Sequence, residues 1–288
     1  MQEKKRRNVV IPRTALIICC LAFCGIIAAV VFNSLFRGGK APGEGRVITD
    51  AAGRLVVIPE KVDRVICSGA GCLRLLTYLE AHDRIVAVDS IEVRGSPIDA
   101  RPYAIANPQF KNFPLFGEFR GHDNPELISG LNPPPQVIFK TFAGRGADVD
   151  LLTAKTGIPV VVLEYGNLTF GREQLNKTLR LVGDIMGAEA RAEKVISYFD
   201  SLERDLKMRT SDIPDEARPS CYIGGLGQSG THGIQSTEPS FAPFAFTHAR
   251  NMAARPEHGK QVSHATVSKE QIVYWDRDVI FLDVSTFR

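Results

Sequence analysis

The sequence predicts an α/β protein of two lobes with mainly parallel sheets, bridged by one long helix. Three observations lead to this fold class. Short apolar runs alternate with helical segments both before residue 170 and after residue 210, which is typical of parallel sheets built from βαβ units. The intervening segment carries a helical repeat of apolar residues. The chain has 288 residues, more than one domain usually holds.

The first lobe is predicted to span residues 46–170. Two alternating apolar runs flank a turn at 50–53 and indicate a β-hairpin. Strands are then predicted at 65–67, 85–88, 137–139 and 160–163, with helices at 71–79 and 148–156. Between residues 90 and 123 the periodicity disappears and four prolines punctuate the chain. We expect a long loop there, of a kind that is often functional.

The bridging helix is predicted at residues 171–209. Gly183 and Gly187 interrupt its middle, and each costs about 1 kcal/mol relative to Ala in a helix, so we expect a bend near Gly187. Two ordinary helices with a tight connection are the alternative. The apolar residues recur at the three-and-four spacing of one helix face, and they are Leu175, Leu179, Val182, Met186, Val195, Phe199, Leu202 and Leu206.

The second lobe is predicted to span residues 210–288. A strand at 220–223 leads into a glycine-rich turn at 224–233, and open α/β sheets bind ligands at the carboxyl ends of strands. The turn matches neither a phosphate loop nor a dinucleotide fingerprint, so we do not expect a nucleotide. A helix at 268–275 and a buried strand at 279–282 follow. Because the chain stops soon afterwards, we expect this lobe to be incomplete.

The N-terminus predicts export and attachment to the cell membrane. A basic flank at 1–14 precedes an uncharged apolar stretch at 15–32, and such a flank stays in the cytoplasm. The stretch is long for a signal peptide and has no clear cleavage site, so we expect a membrane anchor or an uncleaved signal. The folded part would then lie on the periplasmic or extracellular side, behind a tether at 33–45. Lipidation at Cys24 is an alternative, although Phe23 replaces the usual small residue.

Composition and cysteine content narrow the function further. The chain is 44% hydrophobic and 23% charged, and much of its net charge of +3 lies in the basic flank. We therefore expect no nucleic-acid binding. Three of the six cysteines lie in or beside the apolar stretch, and the others allow at most one disulfide. We expect buried thiols at Cys67, Cys72 and Cys221.

Several stretches resemble the substrate-binding proteins of ABC importers for iron-siderophore complexes, haem and cobalamin. The similarity runs from residue 46 to the end and implies a monomeric, non-enzymatic protein. It also implies that a ferric siderophore, haem or corrinoid is captured between the lobes and delivered to a permease dimer with its ATPase. No cofactor is implied, and the family would continue beyond residue 288. The matching stretches are VITDAAGRLVVIP at 47–59, VDRVICS at 62–68, NPELI at 124–128, LNPPPQVI at 131–138, VSKEQI at 267–272 and WDRDVIF at 275–281.

The resemblance also implies which residues face the ligand. The loop after the first parallel strand opens a helix whose amide groups favour anions. Arg120 and His264 take the places of ligand-facing aromatics of the cobalamin binder, which argues against cobalamin itself, and Arg120 suits carboxylates or catecholates. His122 and His232 are worth testing, but no spacing predicts a metal site. The predicted ligand-binding residues are Ser68, Gly69, Ala70, Gly71, Cys72, Arg120, His122, Gly227, His232 and His264.

Two glutamates carry a different prediction. Glu126 and Glu270 match surface residues that, in the resembled family, dock into arginine pockets of the permease dimer. Each opens a predicted helix, where a carboxylate also stabilises the helix dipole. Because one lies on each lobe, we favour docking over this local role.

Two other functions stay open at this point. A membrane-tethered ligand-sensing domain would keep the same fold without the transporter. An exported α/β hydrolase would use Ser229 as nucleophile, with His264 and Asp283 as partners. The glycine spacing around Ser229 falls one residue short of a nucleophile elbow.

Overall fold

The computed structural model describes residues 45–94, 101–227, 233–254 and 262–283. Both lobes lie in one unit, Arg46–Arg288. In these described ranges no helix has the length and apolar character needed to cross a membrane. Several predictions fall outside the described residues: the basic flank, the apolar stretch, all but the last residue of the tether, Cys24, Ser229 and His232.

A β-hairpin precedes the first large sheet, as the sequence predicts. Its strands, β1 (Gly45–Thr49) and β2 (Leu55–Pro59), form a two-stranded sheet. Gly53 in the turn has a φ of 77°, a left-handed conformation that glycine adopts at little cost. The Ala51 amide donates to the Val162 carbonyl at 3.0 Å, which attaches the hairpin to the lobe behind it.

The sheet of the first lobe confirms the predicted parallel architecture. Its strands are β3 (Val65–Ser68), β4 (Ile85–Asp89), β5 (Leu115–Glu118), β6 (His122–Asp123), β7 (Val137–Thr141) and β8 (Val160–Leu163). They lie in the order β6-β5-β4-β3-β7-β8, and all neighbours are parallel except β5 and β6. The chain proceeds from β3 to β4 on one side and from β7 to β8 on the other, so the topology reverses between β3 and β7.

Helices cover both faces of this sheet. Leu75 and Leu76 pack on one face with the apolar side chains of residues 172–196, and Ile128 and Leu152 pack on the other. The described helices of the first lobe are α1 (Cys72–Tyr78), α2 (Ser90–Val93), α3 (Pro102–Ala106), α4 (Pro125–Ser129) and α5 (Val149–Thr156).

The segment 90–123 is more regular than predicted. Its described part holds α2, α3, a 3₁₀ turn at Pro108–Asn112, β5 and β6, so a long structureless loop is wrong for it. The elements are too short to show a period in the sequence. Pro102 and Pro108 each lie in the first turn of a helical element, where proline is well tolerated because the missing N–H has no helical partner.

The single helix predicted at 171–209 is also wrong, and the alternative of two helices is right. α6 (Arg172–Met186) ends at Gly187, which has a φ of 62°, and α7 (Glu189–Thr210) begins immediately afterwards. Arg172 pairs with Asp200, and Arg180 pairs with Glu193, so the two helices run antiparallel. A left-handed glycine reverses the chain where a bend was expected.

The long bridging element is α7 alone, with 22 residues. Its first half packs on the first lobe through Ala192, Val195 and Ile196. At its last residue the Thr210 hydroxyl lies 3.0 Å from His248 Nδ1 of the second lobe. One helix therefore still joins the two lobes, with a later start than the sequence predicts.

The second lobe is a small α/β unit. β9 (Ser220–Gly224) is buried between β11 (Arg250–Asn251) and β13 (Val279–Leu282) in a parallel sheet. The predicted strand β13 is present, but its side chains are 38–46% exposed, so its predicted burial is wrong. Among the described strands it pairs with β9 alone, at the edge of its sheet. The other elements are β10 (Ser236–Thr237), α8 (Ala242–Phe246), β11 (Arg250–Asn251), β12 (Ala265–Thr266), α9 (Lys269–Tyr274) and β13 (Val279–Leu282).

The cysteine prediction is confirmed for the described residues. Cys67, Cys72 and Cys221 are buried free thiols. Burial raises the pKa of the Cys67 and Cys221 thiols, which keeps both protonated and unreactive.

Candidate ligand-binding cleft

A cleft of about 1140 Å³ lies between the lobes. The loops after β3, β7 and β8 form one wall, and the turn after β9 contributes to the other. Ligands of open α/β sheets bind where the topology reverses, at the carboxyl ends of strands. This cleft lies at that place and is the candidate ligand site. Its lining includes Ala70, Arg120, Phe142, Arg145 and Tyr165 from the first lobe and Gly227, Glu238 and Ser263 from the second.

The cleft brings together predicted residues from distant parts of the chain. Ala70, Arg120 and Gly227 line it directly. His264 follows the lining residue Ser263, and its Nε2 lies 2.9 Å from the Ser236 hydroxyl. Three of the predicted positions therefore meet in one cavity, and a fourth is adjacent to it.

The loop 68–72 is divided between the cleft and the protein interior. The Ser68 side chain is fully buried and its Oγ accepts a hydrogen bond from Lys140 Nζ at 3.1 Å. Cys72 is fully buried as well, and its thiol donates to the Phe139 carbonyl at 3.6 Å. The side chains at both ends of the loop face inward, and the part of the loop that is partly exposed is its centre, Ala70 and Gly71.

Tyr165 covers that centre and was missed by the sequence analysis. A Cβ added to Gly71, whose φ is 73°, would lie 2.2 Å from the Tyr165 ring. The Arg74 guanidinium lies 4.7 Å from the centroid of the same ring. The glycine is therefore needed for close packing of an aromatic side chain over the start of α1. Gly69 has a φ of 88° and approaches Thr141 in the same way.

Two arginines on neighbouring loops give the first-lobe wall its charge. Arg120 lies 5.4 Å from the ring centroid of Phe119, and Arg145 lies 5.7 Å from that of Phe142. Both arginines are exposed and line the cleft. Arg145 was not among the predicted ligand-binding residues, although its position just after a strand at the topological reversal was a usable signal.

One acidic group lies on each side of the cleft, with the exposed Glu164 on the first lobe and Glu238 on the second. Glu238 is partly buried, and burial raises the pKa of its carboxyl above the ordinary value. The cleft therefore contains charges of both signs, with the two arginines on the first-lobe wall.

A second cavity of about 260 Å³ lies inside the first lobe, behind the same loop, and shares Ala70, Phe119 and Tyr165 with the cleft. Asp89 lines it and accepts a hydrogen bond from the Ile91 amide at 3.1 Å. Burial raises the pKa of the Asp89 carboxyl from 3.8 to about 7. At neutral pH this buried group therefore carries a proton for much of the time.

His122 lies outside the cleft. It is exposed and lines a separate pocket of about 510 Å³ together with Glu118, Asp123 and Glu126. Across the described residues, no group of three or more His, Cys, Asp or Glu is arranged to hold a metal ion.

The two predicted docking glutamates are exposed, one on each lobe. Glu126 lies in the first turn of α4, where the Asn124 side chain accepts hydrogen bonds from the Glu126 and Leu127 amides at 2.9 and 3.1 Å. Glu270 lies in the first turn of α9. Hydrogen bonds from its own backbone amide and from Ser268 hold the pKa of the Glu270 carboxyl below its usual range.

Comparison with solved structures shows the same fold. The molybdate periplasmic binding protein MolA of Haemophilus influenzae, bound to molybdate, has a TM-score of 0.64 at 20% identity, over 82% of this chain and 73% of that chain. The heme-binding protein HmuT has a TM-score of 0.57 at 18% identity, over 86% and 76%. The TroA-like periplasmic binding protein FepB of Veillonella parvula has a TM-score of 0.54 at 18% identity, over 82% and 69%.

Sequence comparison identifies the family. No curated protein matches the chain. A family model described as "Periplasmic binding protein" matches residues 65–286, which is most of the chain and includes both lobes. The chain therefore belongs to the periplasmic binding protein family of ABC importers, whose members bind solutes and are not enzymes.

Proposed function

We propose that this protein captures an anionic iron complex, a ferric siderophore or haem, in the interlobe cleft and delivers it to the permease of an ABC importer. The observation that carries the proposal is the pair Arg120 and Arg145 on one wall of a cleft of about 1140 Å³. The volume of the cleft and the charge of these two side chains both support the proposal.

The volume of the cleft favours a bulky ligand. Sites for drug-sized molecules usually measure roughly 300–1,000 Å³, and this cleft of about 1140 Å³ is slightly larger. A small oxyanion such as the molybdate held by MolA would leave most of the space unfilled. A metal chelate or a porphyrin fits the volume better.

The two arginines on the first-lobe wall favour oxygen anions. A guanidinium group pairs with carboxylates through two parallel hydrogen bonds, and it binds other planar anions in the same way. The propionates of haem and the carboxylate or catecholate groups of ferric siderophores present such anions. Arg120 and His264 stand where the cobalamin binder of the resembled family has aromatics, so we rank a corrinoid below an iron complex.

Delivery is proposed to depend on Glu126 and Glu270. Their exposure on separate lobes supports docking into arginine pockets of the permease dimer, with the ATPase on the far side of the membrane. We propose that the apolar stretch 15–32 keeps the protein at the cell membrane, with its lobes on the periplasmic or extracellular side.

Calorimetric titration of the full-length, detergent-solubilised protein tests the ligand class. The panel is haemin, a ferric catecholate, a ferric hydroxamate, ferric citrate, cyanocobalamin and molybdate. We expect saturable binding of one iron complex and none of molybdate. Binding of molybdate alone, or of no member of the panel, would overturn the proposal. A protein that binds an iron complex but does not stimulate its permease and ATPase would instead support the sensing function.

A further inference from the structure

Lys140 is a fully buried lysine on β7, one residue before the strand ends at the cleft. Its Nζ donates to Asp123 Oδ2 at 2.5 Å, to the Gly121 carbonyl at 3.0 Å and to Ser68 Oγ at 3.1 Å. An ammonium group has three donors, so these acceptors use all of them. One side chain on β7 therefore fixes two other segments of the first lobe, the end of β3 at Ser68 and the turn that contains Gly121 and Asp123.

The Gly121 carbonyl joins the two loops that carry the cleft arginines. Besides Lys140 Nζ, it accepts a hydrogen bond from the Ala147 amide at 2.8 Å. Gly146 packs so closely that an added Cβ would lie 2.0 Å from the same oxygen. Arg120 precedes Gly121 and Arg145 precedes Gly146 in the chain. The backbone next to each arginine is thus held at one junction.

The buried ion pair of Lys140 and Asp123 is poorly explained by a contribution to the stability of the fold. Replacing a buried ion pair by apolar side chains of similar volume is often neutral or stabilising, because the charges lose their hydration on burial. Removing one partner alone is strongly destabilising, because the other charge stays buried and unpaired. A buried Lys-Asp pair directly beneath a ligand site is therefore better explained by the geometry it imposes.

We propose that Lys140 is the positioning residue of the cleft, which holds the turn at 119–121 and the loop at 142–147 so that Arg120 and Arg145 face one ligand. The proposal rests on the proposed function in taking both arginines as ligand contacts. Ser68 joins the same network, which explains why its side chain is directed away from the cleft.

The network also reaches the docking glutamate of the first lobe. Asp123 is followed by Asn124, whose side chain caps α4 and accepts a hydrogen bond from the Glu126 amide. The segment 120–126 therefore begins at the cleft residue Arg120 and ends at the docking residue Glu126. Between them lie Gly121 and Asp123, which both accept hydrogen bonds from Lys140. Lys140 thus holds the middle of the segment and keeps the distance between its two ends constant.

Limited trypsin digestion tests the positioning role without any ligand, since trypsin cleaves after Arg120 and Arg145. The key variant combines Lys140→Met with Asp123→Leu, so that no buried charge is left unpaired. Its urea-unfolding free energy should stay close to the wild-type value, while cleavage at both arginines should accelerate by about tenfold or more because the loops open locally. The control is Lys155→Met, which removes an exposed lysine and should change neither quantity. Wild-type cleavage rates in a stable double variant would overturn the proposal.

Hydrogen exchange in the wild-type protein keeps the test decisive if the double variant does not fold. The Ala147 amide donates to Gly121 and should be protected to the same degree as the amides of β7, because both would open only in large unfolding events. An Ala147 amide that exchanges like an unbonded loop amide would contradict the proposal. Haemin titration of the double variant is a separate measurement, so failure of haemin to bind the wild type would affect the proposed function and not this result.

Discussion

Arg120 and Arg145 line the same cleft, and the loops that carry them are constrained in similar ways. Each lies beside a phenylalanine of its own loop, and stacking on a ring limits the directions in which a guanidinium can point. Both Arg120 and Phe142 have positive φ angles, 70° and 54°, which cost energy in non-glycine residues and persist where surrounding contacts enforce them. Strain of this kind on both loops of one wall is consistent with a wall organised for binding.

Substituting these arginines should weaken ligand binding. A hydrogen bond to a charged group contributes about 1.5–3 kcal/mol, so Arg120→Ala or Arg145→Ala should each reduce affinity for the bound iron complex about 10- to 100-fold. Calorimetric titration measures the effect, with Arg204→Ala, an exposed arginine on α7, as the control. Wild-type affinity in the double arginine variant would remove both residues from the site.

Asp89 should make stability depend on pH. Its folded pKa of about 7 lies above the ordinary value of 3.8, so between these values the native state holds a proton that the unfolded chain has released. Stability contributed by this group is therefore full below pH 4 and falls as pH rises towards 7. The charged groups around it are Glu92, Arg101 and Asp123.

The variant Asp89→Asn should remove this fall. It should unfold at higher urea than the wild type at pH 8, by up to a few kcal/mol in unfolding free energy, and at a similar concentration near pH 4. Asp83→Asn, at an exposed position, should retain the wild-type pH profile. Parallel profiles for the Asp89 variant and the wild type would contradict the raised pKa.

At the scale of elements, the sequence predicted most of the regular structure that carries a strong period. Strands β3, β4, β7 and β8 are continuous apolar runs because both faces of the sheet are covered. The three-and-four spacing of apolar residues over 171–209 predicted helix correctly. It did not distinguish one helix from two, because α6 and α7 pack in the same core and each has its own apolar face. The direction of α7 is set by the left-handed Gly187 and by packing between helices, which periodicity does not report.

The residues of the cleft were less predictable than the elements around it. Arg120 was selected through the family resemblance and Gly227 through its position after a predicted strand, and both line the cleft. Ser68 and Cys72 belong to the same loop, but their side chains face inward because Lys140 and Phe139 provide partners there. Arg145 and Tyr165 follow the predicted strands β7 and β8, which is a signal for a site at that edge of the sheet, but periodicity alone does not show that their side chains meet in the cleft.

The reversal of chain direction between α6 and α7 at Gly187 can be tested by substitution. A residue with a side chain in this left-handed conformation costs roughly 1–2 kcal/mol, so Gly187→Ala should lower the unfolding free energy by about that amount. Gly144→Ala is a matched control, because Gly144 has no positive φ and no atom within 4 Å of an added Cβ. Equal stability of the two variants in urea would show that Gly187 does not adopt the described conformation.

For the whole molecule, the mechanical consequence lies in α7. One helix of 22 residues joins the lobes, and a stiff helix resists the wide hinge closure that flexible strand linkers allow. We therefore expect small lobe movements on ligand binding, with Glu126 and Glu270 at a nearly constant separation. The cleft arginines and the docking glutamates would then act as separate functional surfaces on one rigid body.

The double variant Glu126→Ala and Glu270→Ala tests that separation of roles. Ligand affinity should stay close to wild type because neither residue lines the cleft, while stimulation of the permease-bound ATPase in proteoliposomes should be lost. Glu173→Ala, an exposed glutamate on α6, is the control. Loss of ligand affinity in the double variant would argue against a docking role.

The absorption spectrum of the protein purified from its native host tests directly whether the cleft holds an iron complex. If the cleft captures an iron complex, the protein should carry either the Soret band of haem or the charge-transfer band of a ferric siderophore. Substituting Arg120 and Arg145 by Ala together should abolish that band while the protein stays folded. A wild-type protein that carries a corrinoid spectrum, or a chromophore that persists in the double arginine variant, would contradict the account.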